Sequence, residues 1–505
     1  MRSVATVGVD IGTSSSKGVL VDAAGDLLCT ATRSHTVDRP RPGWVEMDAD
    51  VWWDEFVAIA RELTDSAARA GVDVVAVGVS GMGPCVLLAD EDDRPVRPAI
   101  LYGVDTRAGA QLDQLAATLG DAEVLRRGGS ALTSQAAGAK VRWVADSEPE
   151  AYARARRLYM PSSWLVRHLT GEYVLDHHSA SQCTPMYDVD ACDWYSPWAS
   201  RCAPGIGLPP LRWADEVAGV VTDAAAARTG LPAGVPVVTG TIDAWAEAVS
   251  VHAHGVGDLM LMYGSTMFLV NTVDRPVTEA SLWGPVGALA GTRSLAGGMA
   301  TTGALAGWVA DLVGGRHADL VAEAAARPAG SDGLLVLPYF AGERTPIMDP
   351  DARGVVAGLT LSHGRADLYR AVLEATAYGV RHNIETMLDA GATIRRVVAV
   401  GGGTQGDLWP QIVSDVTGRE QVVPTHTVGA SYGGAMLAAR ALGADTRGWN
   451  PPAGTTRPDP RRQARYDELF ALYRRLYAGT ADVTHALTAI QHADARDRAL
   501  HAVRS

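Results

Sequence analysis

The stretch Val7-Gly8-Val9-Asp10-Ile11-Gly12-Thr13-Ser14-Ser15-Ser16-Lys17-Gly18-Val19-Leu20-Val21 constrains the fold most strongly. Two short apolar runs flank a turn made only of glycine and hydroxyl residues, which predicts a strand, a tight turn and a second strand. In such a turn backbone N–H groups and hydroxyls point outward together, an arrangement suited to a phosphate. Asp10, in the first strand, is placed to hold the magnesium that travels with a phosphate. An ordinary hairpin is the other reading, and this stretch alone leaves both open.

A chain of 505 residues with 47% hydrophobic content has core enough for two or more domains. Its net charge of −13 argues against nucleic acid or an anionic membrane surface as partner, because nothing would neutralise phosphates over a broad face. Small molecules are the natural partners. Cys29, Cys85, Cys183, Cys192 and Cys202 form no CxxC pair and no zinc-type spacing, which fits a reduced compartment. The N-terminus leads straight into a strand, and no apolar run reaches membrane-spanning length. A cytoplasmic location is therefore expected.

Along the chain, residues 4 to 32 read as a three-strand antiparallel meander, followed by a helix from about Asp50 to Ala70. Val74 to Ser80 is a continuous apolar strand of the buried parallel kind, opening onto Gly81, Gly83 and Pro84. Residues 108 to 170 are helical in pattern and 184 to 213 loop-rich. A strand at Val237 to Thr239 meets the turn Gly240-Thr241-Ile242-Asp243, and a helix begins at Ala244. The second half then repeats the logic of the first: Leu259 to Tyr263, the turn Gly264-Ser265-Thr266, and Met267 to Val270. Further on, Leu334 to Pro338 and Arg396 to Val400 read as strands and Asp367 to Leu388 as a long helix. A proline-rich stretch at 451 to 460 is expected to loosen the chain before amphipathic helices that pack back on the body. The expected domains are residues 1–250, 251–445 and a helical tail at 446–505.

Gly401, Gly403 and Gly406 satisfy G-x-G-x-x-G after a strand, the signature of a dinucleotide site. The next strand, Gln421-Val422-Val423, runs into Pro424 with no ribose-binding acid at its end, and the motif sits late in the chain. Close approach of backbone to a nucleotide base or ribose suits it better. No P-loop and no protein-kinase motif set is present, so phosphoryl transfer would need another scaffold. Asp243, after a glycine turn at a strand end, is the candidate general base; a helix N-cap is the plainer reading of the same residue. His252, His254, His177 and His178 lack a third ligand at recognisable spacing and read as surface or core residues.

Taken in order, these motifs resemble the FGGY family of carbohydrate kinases, most closely its xylulokinase-like branch. The resemblance rests on Asp10 to Lys17, Gly43-Trp44-Val45-Glu46, Lys140-Val-Arg-Trp143, Met186-Tyr-Asp188-Val, Leu231-Pro-Ala-Gly234, Gly240-Thr-Ile-Asp243, Gly264-Ser265-Thr266, Gly342-Glu343-Arg344-Thr345-Pro346 and Gly401-Gly402-Gly403. It implies an α/β fold of two actin-like, RNase H-type domains with a ligand cleft between them. It also implies Asp243 as catalytic base, at the substrate and beside magnesium, and Asp10 as the magnesium-side acid. ATP is expected at Thr13, Ser14 and Lys17 on the phosphate hairpin, at Ser265 and Thr266 toward the γ-phosphate, and at Gly303, Gly402 and Gly403 on the nucleotide side.

In the sugar loop, xylulokinases typically read Ser-Gly-Gln-Met-His-Gly, whereas this chain has Ser80-Gly81-Met82-Gly83-Pro84-Cys85. Asp105 and Arg107 match the family's Asp-x-Arg, so Met82, Gly83, Asp105 and Arg107 are the expected substrate contacts. The resemblance thus implies ATP-dependent phosphorylation of a small ketose or polyol, with D-xylulose first and another ketose, a tetritol or a sugar acid behind it. A sugar-responsive ATPase or sensor and a dinucleotide-dependent oxidoreductase are the alternatives of other classes. A homodimer is the assembly the resemblance adds.

Overall fold

A computed structural model describes residues 3–504, with side chains described as far as residue 494. The chain divides into two compact units: Met1–Gly257 with Val270–Leu295 and Val428–Pro451, and Asp258–Leu269 with Ala296–Thr427 and Pro452–Ser505.

The first unit is built on the opening meander, β1 (Ser3–Ile11), β2 (Ser15–Asp22) and β3 (Leu27–Ser34), antiparallel throughout. β4 (Val72–Gly81) pairs parallel to β1, and beyond it come β5 (Val217–Val220) and β6 (Pro236–Val238), in the order β5-β6-β4-β1-β2-β3. A short strand, β7 (Thr241–Ile242), also lies parallel to β4. Helix α1 (Ala49–Ala70) covers one face because Trp52, Phe56, Ile59, Leu63 and Ala67 recur at helical spacing and are all buried. Asp48 caps its start and Gly71, at φ +68°, ends it.

Two further helices, α2 (Asp243–Ser250) and α3 (Ala430–Ala441), sit close against this sheet and each other. Glycines permit the approach. A Cβ on Gly8 would lie 1.9 Å from the Ser431 carbonyl oxygen, one on Gly78 1.9 Å from that of Gly434, and one on Gly433 1.8 Å from that of Ala246. The position of α2 is thereby fixed backbone against backbone, with no side chain between to give way.

The second unit carries most of a six-stranded sheet of β8 (Asp258–Tyr263), β9 (Met267–Val273), β10 (Arg293–Met299), β11 (Arg396–Val400), β12 (Gln421–Pro424) and β13 (Pro452–Thr456), ordered β10-β9-β8-β11-β12-β13. The long helix Arg365–Asp389 buries most of its length, including the ion pair Arg370–Glu374 at 2.9 Å, which also receives a hydrogen bond from the Tyr466 hydroxyl. The tail is one helix, Pro460–Arg504, held to this unit by buried Tyr466, Leu469, Phe470 and Tyr473.

Two local expectations change. The proline-rich stretch does not loosen the chain: Pro452–Thr456 is an edge strand paired antiparallel to β12. An edge strand tolerates proline because one side of its backbone needs no partner. Within the helical region 108 to 170, Arg157–Tyr159 forms a strand against Leu87–Ala89, too short to leave a periodicity in the sequence.

Candidate active site

In the first unit, four strands bring one polar residue each to the same level. Lys17 on β2 stands opposite Asp10 on β1, Asp10 opposite Ser80 on β4, and Ser80 opposite Thr241 on β7. Paired residues at one register share a face of the sheet, so this row is a consequence of strand alignment alone. Asp243 follows two residues after Thr241 as the first residue of α2, and Glu247 lies one helical turn further.

Hydrogen bonds fix the members of the row. Ser80 Oγ donates to Asp10 Oδ1 at 2.8 Å, and Lys17 Nζ donates to the Val428 carbonyl at 3.4 Å. Asp243 Oδ1 accepts from the Ala244 N–H at 2.7 Å. The turn after Asp10 is closed by Gly12 N donating to Ser15 O at 3.1 Å. His35 braces it, reaching Gly12 O at 3.0 Å and the Glu55 carboxylate at 2.8 Å. Thr13 Oγ1 and the Tyr102 hydroxyl lie 3.0 Å apart, joining the hairpin to the loop expected to face substrate; Ser14 is exposed at the tip.

Burial dominates the electrostatics. Taken out of water, Asp10 is pushed up to about 6 despite the Ser80 hydroxyl and the Lys17 charge, which oppose the shift. Asp243 is held well above the usual carboxylate range by burial first and by the charge of Asp10 next. Glu247 is pushed up to about 7 by burial and Asp10, with Lys17 opposing. Asp10 and Glu247 thus share the field of one ammonium, Lys17, while Asp243 faces both acids. Among the described residues, no three acidic, histidine or cysteine side chains are close enough to enclose an ion. Buried acids with spare negative charge, too dispersed to form a cage, fit magnesium, which keeps waters and is shared with phosphates.

The expected substrate contacts fall into two kinds. Met82 is buried, and Gly83 lies against Ile242, where a Cβ would come 2.6 Å from Cγ1, so this pair packs beside Asp243. Asp105 and Arg107 pair with each other. The Arg107 fork meets both Asp105 oxygens at 2.7–3.0 Å and Glu46 at 2.6 Å, while Asp105 also accepts from Val45 N–H at 2.6 Å. Both side chains are 0% exposed. Arg107 lies over the Trp44 ring at 4.1 Å, so this cluster shapes the loop and presents Trp44 from within.

In the second unit, the turn Gly264-Ser265-Thr266 receives the start of the helix Gly303–Val313. Thr302 N donates to Ser265 O at 3.0 Å and Gly303 N to Gly264 O at 3.1 Å. A Cβ on Gly303 would stand 2.5 Å from Gly264 O, so only glycine lets helix and turn meet. Gly401 has φ +91° and would press a Cβ to 2.4 Å from Tyr263 O, and Gly403 is hemmed in by Trp409 and Tyr263. Gly402 faces open space. A 3-10 turn, Gly402–Gln405, separates this stretch from the next helix, Leu408–Thr417, so the glycines do not open a helix as a dinucleotide fingerprint does.

The sequence singles out none of Glu247, His35 and Tyr102, and gives Ser80 and Thr241 only as members of the sugar loop and of the turn before Asp243. Only Glu247 left a signal there, its i+4 spacing from Asp243. The histidine pairs find ordinary partners: His178 Nδ1 meets Val286 O at 2.7 Å, and His252 Nε2 meets Trp449 O at 2.9 Å.

Comparison with known proteins identifies the family. Residues 5–250 match the N-terminal domain of the FGGY family of carbohydrate kinases and residues 259–442 its C-terminal domain. A xylulose kinase of Escherichia coli strain K12 is 30% identical over 93% of this chain and 98% of its own length. Glycerol kinase 2 of Streptomyces avermitilis is 32% identical over 88% of each. The crystal structure of xylulose kinase from Rhodospirillum rubrum superposes with a TM-score of 0.89 at 32% identity, covering 96% of this chain and all of that one, so the two-domain α/β fold is the actin-like one. With both domains matched in order, the chain belongs to the FGGY family of carbohydrate kinases and is a phosphotransferase.

Proposed function

We propose that this kinase transfers the γ-phosphoryl group of ATP, with magnesium, to a hydroxyl of a small ketose or polyol, D-xylulose being the first candidate. The observation that carries the reading is Asp243. It opens α2 directly after the strand row of Asp10, and burial together with the Asp10 charge raises its proton affinity. A carboxylate so raised is matched to taking a proton from an alcohol as that oxygen attacks phosphorus. Phosphoryl transfer needs alignment and charge neutralisation more than covalent help, so one base and fixed N–H donors suffice.

We assign the phosphates to the hairpin of Thr13, Ser14 and Lys17 and to Ser265 and Thr266, and adenosine to the glycine surfaces at Gly303, Gly402 and Gly403. Asp10, held by Ser80, is the acid on the magnesium side, with Asp243 near it. Bound magnesium supplies neutralisation of phosphate charge. Met82 and Gly83 border the substrate, and Asp105 and Arg107 act by holding Trp44 and their loop in place.

Two relatives named for different alcohols, xylulose and glycerol, support the substrate class more than any one sugar. The apolar Met82-Gly83 pair favours a substrate that presents few hydroxyls there, which keeps another ketose, a tetritol and a sugar acid behind D-xylulose. A cytoplasmic homodimer completes the proposal; among the described residues, no helix is long and apolar enough to cross a membrane. The test is a panel of ketoses, tetritols, glycerol and sugar acids with Mg-ATP, scored by ADP release. Strong stimulation by one member is expected, and a flat response across the panel would overturn the reading.

A further inference from the structure

Glu247 has no role in the site as assigned, yet its surroundings are unusual for a carboxylate. It shares a helix face with Asp243 at i+4, where two like charges destabilise each other. Among the described residues, its side chain receives no hydrogen bond and forms no ion pair. Besides Asp243, the charges of Asp10 and Lys17 reach it. On its remaining side lies Gly429, the residue before α3, where a Cβ would come 3.6 Å from Glu247 Oε2; no side chain caps that helix start. Its carboxylate is half-buried, with oxygens that water still reaches and no protein donor takes, so it is open to a partner that binding supplies.

We infer that Glu247 is a positioning residue for the metal-phosphate group, accepting hydrogen bonds from water on a divalent cation held at Asp10. The inference rests on the proposed function. Carboxylates one step removed from a cation orient its bound waters, and losing one costs about 10- to 100-fold in metal affinity. Lys17, within reach of the same field, would take the phosphate side. A purely structural Glu247 would instead hold α2 or α3 in place and would have partners to do so.

The experiment measures Mn2+ binding to the full-length protein by electron paramagnetic resonance, with Mn2+ alone and with ADP, for wild type, Glu247→Gln and Glu247→Asp. Thermal unfolding is followed in metal-free buffer. Mn2+ affinity in the presence of ADP should fall 10- to 100-fold in Glu247→Gln, with partial recovery in Glu247→Asp. The metal-free unfolding midpoint should stay level or rise in Glu247→Gln, because an unpartnered charge has been removed. Unchanged Mn2+ affinity overturns the inference while leaving the proposed function standing. Weaker binding with a lowered midpoint also overturns it, by making Glu247 structural. A wild type that binds no Mn2+ with ADP overturns the inference and the function together. If Glu247→Gln fails to fold, Glu247→Asp decides the matter by the same two readouts.

Discussion

Replacing Asp243 by asparagine should separate the chemistry of this kinase from its fold. Asparagine keeps an oxygen where Asp243 Oδ1 accepts the Ala244 N–H at 2.7 Å, so the start of α2 keeps its local bond. It removes the proton acceptor and one of three mutually repelling acids, Asp243, Asp10 and Glu247. A positioned general base contributes about 10²- to 10⁴-fold to rate. At 1.36 kcal/mol per tenfold, the loss in transition-state stabilisation is about 3–5 kcal/mol. The unfolding midpoint should hold or rise, since burial and Asp10 both oppose charge at this position. ATP affinity, assigned mainly to the second unit and the hairpin, should change less than about threefold. Sugar-dependent ADP release, calorimetric ATP binding and thermal unfolding on one preparation read all three quantities. A turnover number within tenfold of wild type would refute the base, and a collapse of the midpoint would make Asp243 a structural cap. In wild type, kcat/KM should lose activity on the acid side at a higher pH than an ordinary aspartate would dictate, because the base works only when deprotonated and its affinity for the proton is raised.

Gly433→Ala should cost about 1–3 kcal/mol in urea unfolding and also lower kcat, because the new Cβ meets the Ala246 carbonyl at 1.8 Å and displaces the helix that carries Asp243. Gly307→Ala, with nothing within 4 Å, should leave both unchanged or add slight stability. Arg107→Ala should destabilise by about 3–5 kcal/mol, since it strands the fully buried Asp105 carboxylate; a raised KM at unchanged stability would instead make Arg107 a substrate contact. Asp176 is pushed up to about 6 by burial, against hydrogen bonds from Ser179 and Thr241. The folded protein keeps that proton between about pH 4 and 6 where the unfolded chain has lost it, so the contribution is full below about pH 4 and lost as pH rises to about 6. Asp176→Asn should flatten this part of the stability curve, which amounts to about 3 kcal/mol at most.

The hairpin around Asp10 was legible because period-two apolar runs and a turn of small residues leave few other folds open. Asp243 was legible for its position at the end of a strand. The strand row was not: Lys17, Asp10, Ser80 and Thr241 are brought level by register, a long-range property with no local sequence mark. Gly8, Gly78 and Gly433 look like ordinary strand or helix glycines until the helices that press on them are in place. Asp105 and Arg107 read as ligand contacts from a motif, yet their charges are spent on each other and on Glu46. Pro452–Thr456 read as a loop because proline marks breaks, and a sheet edge is the one place in a strand where that rule relaxes.

The most direct test of the central claim is a phosphorus balance on the wild-type enzyme with Mg-ATP and the sugar or polyol that best stimulates it. Phosphorus NMR would count ADP, inorganic phosphate and sugar phosphate in the same tube. A sugar or polyol kinase predicts one sugar phosphate per ADP with little free phosphate. ADP matched by inorganic phosphate, with no phosphorylated sugar, would show a sugar-responsive ATPase and contradict the account.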